Sequence, residues 1–252
     1  MCYDVKAKLE SQLKRAKRKN DFVWIAELEE KLKPYGDNPI FRASGFDHPE
    51  LLIYEETAPS TAVMAQWGLV PNWINTEADK LKLWNNTLNA RVETIFEKAS
   101  YKESANTQKC LLQVDGFFEH HHRNNKPFPY YISRKDNEPI TIAGLASDWV
   151  DLATGLTHKT FSIVTTKANG LLADIHNSPK LKEPRIPLLL TEEQEDIWLN
   201  ETNATNLNNI SESTLEKHLK GHLVAPIRGK KNLGNTKEVT DEFFYDEFNT
   251  LF

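Results

Sequence analysis

A succession of short apolar runs, each rich in β-branched or aromatic residues and each followed by turn-forming residues, constrains this chain most. The runs are "LLIYEE", "TAVMAQWGLV", "KCLLQVDGFF", "PFPYYISR", "PITIAGLA", "TFSIVTT" and "RIPLLLT". Between them stand "RNNKP", "KDNEP" and "DLATG", which supply Asn, Asp, Gly and Pro where the chain must reverse. This spacing predicts antiparallel strands folded into a barrel or sandwich.

Helices interrupt the pattern. Residues 5–33 read as a basic helical elaboration, with Val5, Leu9 and Leu13 on one face and a break at Asn20-Asp21, where Asp21 caps a second segment. The run "KRAKRK" (Lys14 to Lys19) reads first as a solvated helix face and second as a phosphate contact. Pro and Gly in "KPYGDNP" end this region. "VETIFEKAS", "TEEQEDIWL" and "SESTLEKHLKGH" read as further helices, the second with Thr191 and Gln194 as a capping box. Residues 236–252 form an acidic, aromatic tail that either packs as a last element or stays mobile. With no internal repeat and no low-complexity linker, the expectation is one α+β domain over 1–252, an antiparallel barrel-like core decorated with helices.

The 252 residues are 39% hydrophobic, enough for a substantial core, and their net charge of −5 does not make the whole surface a polyanion binder. Two cysteines argue against a disulfide scaffold and fit a reducing compartment. No apolar run is long enough to span a membrane, and no apolar signal segment precedes Cys2. A soluble, cytoplasmic monomer without a cofactor is expected.

Five places carry side chains suited to chemistry. Cys2 stands directly behind Met1; removal of Met1 would leave an α-amine titrating near ~7.7–8.0 beside a thiol titrating near ~8.5. "WGLVPNW" sets Trp67 and Trp73 around Gly and Pro; the pair reads as core, or, if exposed, as a stacking platform for unpaired bases. In "NARVET", an extended backbone would put Asn89, Arg91 and Glu93 on one face, which reads as a surface salt bridge at a helix start or, functionally, as Asn89 positioning and Arg91 on a phosphate. Glu119 ends an apolar strand in "VDGFFEHHH", where partial burial suits it to proton transfer. Alternation in that strand puts His120 and His122 on one face and His121 on the other, too few ligands to close a zinc site, so no metal is expected. His176, in "ADIHNSPK", is the side chain best suited to exchange protons near neutrality.

Taken in order, these motifs resemble the SRAP family, the SOS-response-associated peptidase or abasic-site processing proteins. The family pattern is Met-Cys, W-G-x-x-P-x-W, N-A-R-x-E-T, a G-x-x-E strand end, an A-G-L strand, and V-T-x-x-A…I-H leading to R-M-P. Here it stands as Met1-Cys2, "WGLVPNW", "NARVET", "GFFE", "AGLASDW", "IVTTKANGLLADIH" and "PRIPLLL", from residue 1 to about residue 190.

The resemblance implies binding to single-stranded DNA and covalent attachment to abasic sites through the N-terminal cysteine. It makes Cys2 the nucleophile, Asn89, Glu119 and His176 its active-site partners, Arg91 and Arg185 phosphate contacts, and Trp67, with Trp73, part of the DNA path. The mechanism that follows is a thiazolidine between Cys2 and the ring-opened sugar aldehyde, shielding the lesion from strand cleavage. Two other readings use the same residues: a thiol peptidase that removes its own Met1, with Cys2, His176 and Glu119 or Asn89, and a single-strand-binding module without chemistry. The chain departs from the pattern in several places. Tyr3-Asp4 replaces Gly-Arg, "FDHPE" with Pro49 replaces N-x-A-P, His120 replaces a tryptophan, and "NSPKLKEP" separates His176 from Arg185.

Overall fold

The computed structural model describes residues 2–18, 39–201 and 214–249, with 25–26, 29–30, Leu207 and Ile210. The described strands are β1 (Asp4–Ala7), β2 (Ile40–Ser44), β3 (Glu50–Glu55), β4 (Ala58–Trp67), β5 (Asn89–Arg91), β6 (Lys109–Val114), β7 (Gly116–Arg123), β8 (Lys126–Arg134), β9 (Ile140–Asp151), β10 (Leu156–Lys167), β11 (Arg185–Pro187), β12 (Leu189–Leu190) and β13 (Leu219–Leu223). The described helices are α1 (Leu9–Arg18), α2 (Glu77–Trp84), α3 (Lys102–Thr107), α4 (Gly170–Ile175), α5 (Glu192–Asn200) and α6 (Asp246–Asn249).

Each apolar run of the sequence contributes to a strand. Strands β10, β4, β3, β6 and β9 hydrogen-bond in that order, and β9 pairs back to β10, so the sheet closes into a five-stranded barrel. Closure removes the edges an open sheet would expose. The pairing is antiparallel except where β10 runs parallel to β4 (Phe161 opposite Trp67) and to β5 (Ile163 opposite Asn89). A second sheet, ordered β13-β8-β7-β1-β2, lies beside the barrel. This is the α+β barrel the runs predict.

Period-two alternation sorts the core. Leu51, Ile53 and Leu112 join one buried cluster with Cys2, Val5, Trp67, Phe117 and Ile163. Their strand neighbours Tyr54 and Leu111 join another with Leu145, Val164 and Trp198. β6 is therefore buried at every position, one face in each cluster. Each large apolar side chain so buried contributes about 1.5–3 kcal/mol.

The N-terminal region differs from expectation. Residues 4–7 are a strand inserted between β2 and β7, and the helix begins only at Leu9. Both edges of β1 are satisfied, and Val5 enters the core, so tertiary pairing outweighs the helical spacing of Val5, Leu9 and Leu13. The basic face of α1 is partly docked. Arg15 is buried, ion-paired to Glu195 at 3.1 Å and set over the Tyr54 ring, while Lys14 pairs with Glu138 at 3.2 Å. Lys19 and the Asp21 cap lie outside the described residues.

"VETIFEKAS" holds only a single helical turn at Val92–Thr94, and the "TLEKHLKGH" stretch is a turn at Thr214–His218 followed by β13, which pairs with β8. Helix α5 forms as expected, with the Thr191/Gln194 capping box in place. The tail packs: Tyr245 donates to Val224 O at 2.8 Å, and the Tyr245 and Phe248 rings meet the Phe128 ring edge-on. Among the described residues no helix is long and apolar enough to cross a membrane.

Candidate active site

Strand β1 fixes what precedes it. Its register on β7 (Asp4 opposite Phe118, Val5 opposite Phe117) brings Glu119 to the level of Tyr3, next to Cys2. Cys2 is fully buried, and its Sγ lies 3.6 Å from Asp4 O. Burial, and then the nearby charge of Glu119, push its thiol well above the ordinary range.

Asn89 arrives from the opposite side. Because β5 lies parallel on β10, Ala90 points into the outer core and Asn89 points the other way. Its Nδ2 donates to Cys2 O over 2.8 Å. Its Oδ1 is buried and has no hydrogen-bond partner among the described residues. An amide acceptor held ready at the first residues of the chain suits an N–H or O–H donor arriving there.

Glu119 and His176 form the third part. Both are buried, with Nε2 of His176 3.7 Å from Oε2 of Glu119. His176 caps α4, and its Nδ1 donates to Arg185 O. That hydrogen bond commits Nδ1 as the N–H and turns Nε2 toward the carboxylate. The two side chains form one buried pair of ionisable groups. It faces a cleft of about 340 Å³, lined by Tyr3, Glu119, His120, His122, Pro127, His176, Ser178 and Leu181.

The remaining expected residues divide by exposure. Arg91 is exposed. Trp73 is half exposed and lines a separate small cavity with Glu103 and Asp148. Trp67, by contrast, is wholly buried, its indole N–H on Leu88 O at 2.9 Å and its ring stacked with Phe161. Arg185 is also buried; its guanidinium holds Glu93 at 2.7 Å, Glu183 at 3.0 Å and Thr165 O at 2.8 Å. Neither side chain reaches a surface that a strand can touch, because each is saturated by protein partners. The Arg185 carbonyl accepts the hydrogen bond from Nδ1 of His176.

Asp4 supplies a feature not read from the sequence. Its carboxylate is buried between Arg42, at 2.8 Å, and Arg228. A carboxylate in a strand so short required a cationic partner, but nothing in the sequence picked out Arg228 from 224 positions away. Among the described residues no group of three or more His, Cys, Asp or Glu is arranged to hold a metal ion.

The geometry defines a class: a closed α+β barrel whose candidate site is assembled around its N-terminal cysteine, with an asparagine and a glutamate–histidine pair. The sequence profile of the SOS response associated peptidase (SRAP) family matches residues 7–228, and the chain belongs to that family. Cys2 lies ahead of the matched span. Among relatives, the Abasic site processing protein YoqW of Bacillus subtilis (strain 168) is 34% identical over 139 residues, 55% of this chain and 57% of that protein. The Abasic site processing protein YedK of Escherichia coli (strain K12) is 30% identical over 183 residues, 72% of this chain and 75% of that one. The chain thus spans little more than half of its Bacillus relatives and three quarters of the Escherichia one. A crystal structure of a protein from Bacteroides thetaiotaomicron superposes with a TM-score of 0.78 at 29% identity, covering 96% of this chain and all of the other.

Proposed function

We propose that this protein processes abasic sites in single-stranded DNA, and does so by covalent capture at Cys2. The observation that carries the reading is the Asn89–Cys2 hydrogen bond of 2.8 Å, which holds the chain's first cysteine beside the buried Glu119–His176 pair. The names of relatives across most of the matched length support the substrate.

The chemistry follows from an aminothiol. An abasic sugar opens to an aldehyde at C1′. Once Met1 is removed, the Cys2 amine adds to C1′ to give a carbinolamine, which loses water to an iminium. The Cys2 thiol adds to the same carbon and gives up its proton, closing a five-membered thiazolidine; the balance is aldehyde plus aminothiol to thiazolidine plus water. In this reading Glu119 donates the proton that leaves with water and accepts the one released by the thiol. In this reading His176 supplies a proton to the sugar oxygen during ring opening. Amine and thiol belong to one residue, so ring closure is intramolecular. Closure also consumes the iminium that would otherwise acidify the neighbouring C–H and promote strand cleavage.

Arg91, exposed on the same strand as Asn89, is the phosphate contact in this reading, which makes binding salt-dependent. The test mixes the protein with a single-stranded oligonucleotide bearing one abasic site and with an intact control. A species stable to denaturing electrophoresis forms only with the abasic strand, and is lost in Cys2→Ser. An adduct of undiminished yield in a folded Cys2→Ser protein overturns the thiazolidine. Intact mass of the same sample reports removal of Met1.

A further inference from the structure

We propose that the cleft between the end of β7 and the loop 177–184 is a nucleobase subsite, which receives the base of one nucleotide adjoining the abasic sugar. The inference rests on the covalent-capture reading and adds to it a neighbour-base requirement.

The cleft is larger than the reactive centre uses. Glu119 and His176 occupy its inner end, and the space continues past them to His122, Pro127, Ser178 and Leu181. Its outer wall is built rather than slack. The Asn177 side chain bonds both main-chain groups of His122: Oδ1 accepts from His122 N at 2.6 Å and Nδ2 donates to His122 O at 3.1 Å. A side chain thus completes the strand's hydrogen bonding where, among the described residues, no further strand pairs. The far end of the loop is pinned through Glu183, which holds Arg185 at 3.0 Å and Lys167 at 3.3 Å.

The lining selects for a neutral, flat, hydrogen-bonding group. Leu181, Pro127 and the Tyr3 ring offer apolar contact. Nδ1 of His122 is buried at the cleft and has no hydrogen-bond partner among the described residues. Burial, and then Arg228, bring His120 down to about 4, and burial also lowers His122, so both imidazoles are neutral near pH 7 and carry one donor and one acceptor nitrogen each, one of those of His122 being engaged with the His120 backbone. Glu119 at the inner end repels a phosphate. A nucleobase has the matching features: apolar faces, and donors and acceptors on its edge. The backbone phosphates then run outside the cleft.

The experiment uses three oligonucleotides of equal length, each with one abasic site. One has adenine on both sides; the others replace the 5′ or the 3′ neighbour with a base-free tetrahydrofuran spacer, which cannot form an adduct. The readout is the protein concentration giving half-maximal adduct. Loss of the base on one side raises that concentration about tenfold, within the range of stacking contributions, and loss on the other side leaves it within about twofold. In a His122→Ala, Leu181→Ala double variant the difference collapses; should that variant fail to melt cooperatively, Ser178→Trp, which fills the cleft, is read instead. Equal half-saturation for all three oligonucleotides with the unmodified protein overturns the subsite, as does a tenfold difference that survives both variants. Absence of adduct with every oligonucleotide overturns the covalent-capture reading instead.

Discussion

Nε2 of His176 and Oε2 of Glu119 face each other across 3.7 Å while the other ring nitrogen of His176 is committed to the carbonyl of Arg185. The committed nitrogen leaves Nε2 as the ring atom that faces the carboxylate. Glu119→Gln keeps the shape but removes the carboxylate that the capture reading uses for proton transfer. Single-turnover adduct formation, followed on denaturing gels, slows about 100-fold or more in this variant, with little change in melting temperature. A rate within threefold of the unmodified protein removes Glu119 from the chemistry.

Both cysteines are buried, and burial raises both thiols. In a chain that keeps Met1, a chromogenic disulfide reagent at pH 8 titrates well under one thiol per molecule until guanidinium is added, and two thereafter. A Met1-free chain gains one faster-reacting thiol, and Cys2→Ser abolishes that gain. Rapid titration of a thiol in the Met1-retaining chain means that Cys2 is not held as described.

Trp67 and Gly68 are structural partners within one motif. Gly68 sits at φ +117, and a Cβ there would come within 2.5 Å of the Trp84 indole, whose N–H donates to Gly68 O at 2.7 Å. Trp67→Ala empties a site at the barrel centre and lowers stability by about 3–5 kcal/mol, measured by chemical denaturation. Gly68→Ala is also destabilising, through a left-handed backbone and the clash with Trp84. Any loss of DNA binding in either variant then tracks the fraction unfolded, unlike a loss in Arg91→Gln, which leaves the melting temperature unchanged and lowers the salt dependence.

His120 gives the acid limb of the stability profile. Its folded value, about 4, lies below the ordinary 6.5, so between these values the unfolded chain binds more protons than the folded one. Stability therefore falls as pH drops from about 6.5 to about 4, by at most about 1.4 kcal/mol per pH unit from this group. His120→Gln flattens that limb relative to the unmodified protein in melting experiments at pH 7, 6, 5 and 4. Parallel profiles for the two proteins would mean that His120 carries its charge in the fold.

The legible part of this molecule was the part written in short-range pattern. Alternation and turn chemistry marked the barrel strands, and the Thr191/Gln194 box marked the start of α5, because each is a local rule. Residues 4–7 misled because four residues of strand ahead of a helix show the same spacing of Val5, Leu9 and Leu13 that a longer helix would. The order of motifs singled out Cys2, Asn89, Glu119 and His176. It did not show that Arg185 spends its guanidinium on Glu93 and Glu183, since that depends on parallel pairing of β5 with β10 and antiparallel pairing of β11 with it. The cleft wall was likewise hidden, being made by a single amide, Asn177, reaching a strand that lies 55 positions earlier.

The placement of β1 between β2 and β7 has a consequence during synthesis. Cys2 leaves the ribosome early, yet the strand that seats it needs β7, its hydrogen-bond donor comes from β5, and the carbonyl that orients His176 comes later still. The parts that surround Cys2 are therefore complete only after most of the chain has been made, and the site assembles as the barrel closes.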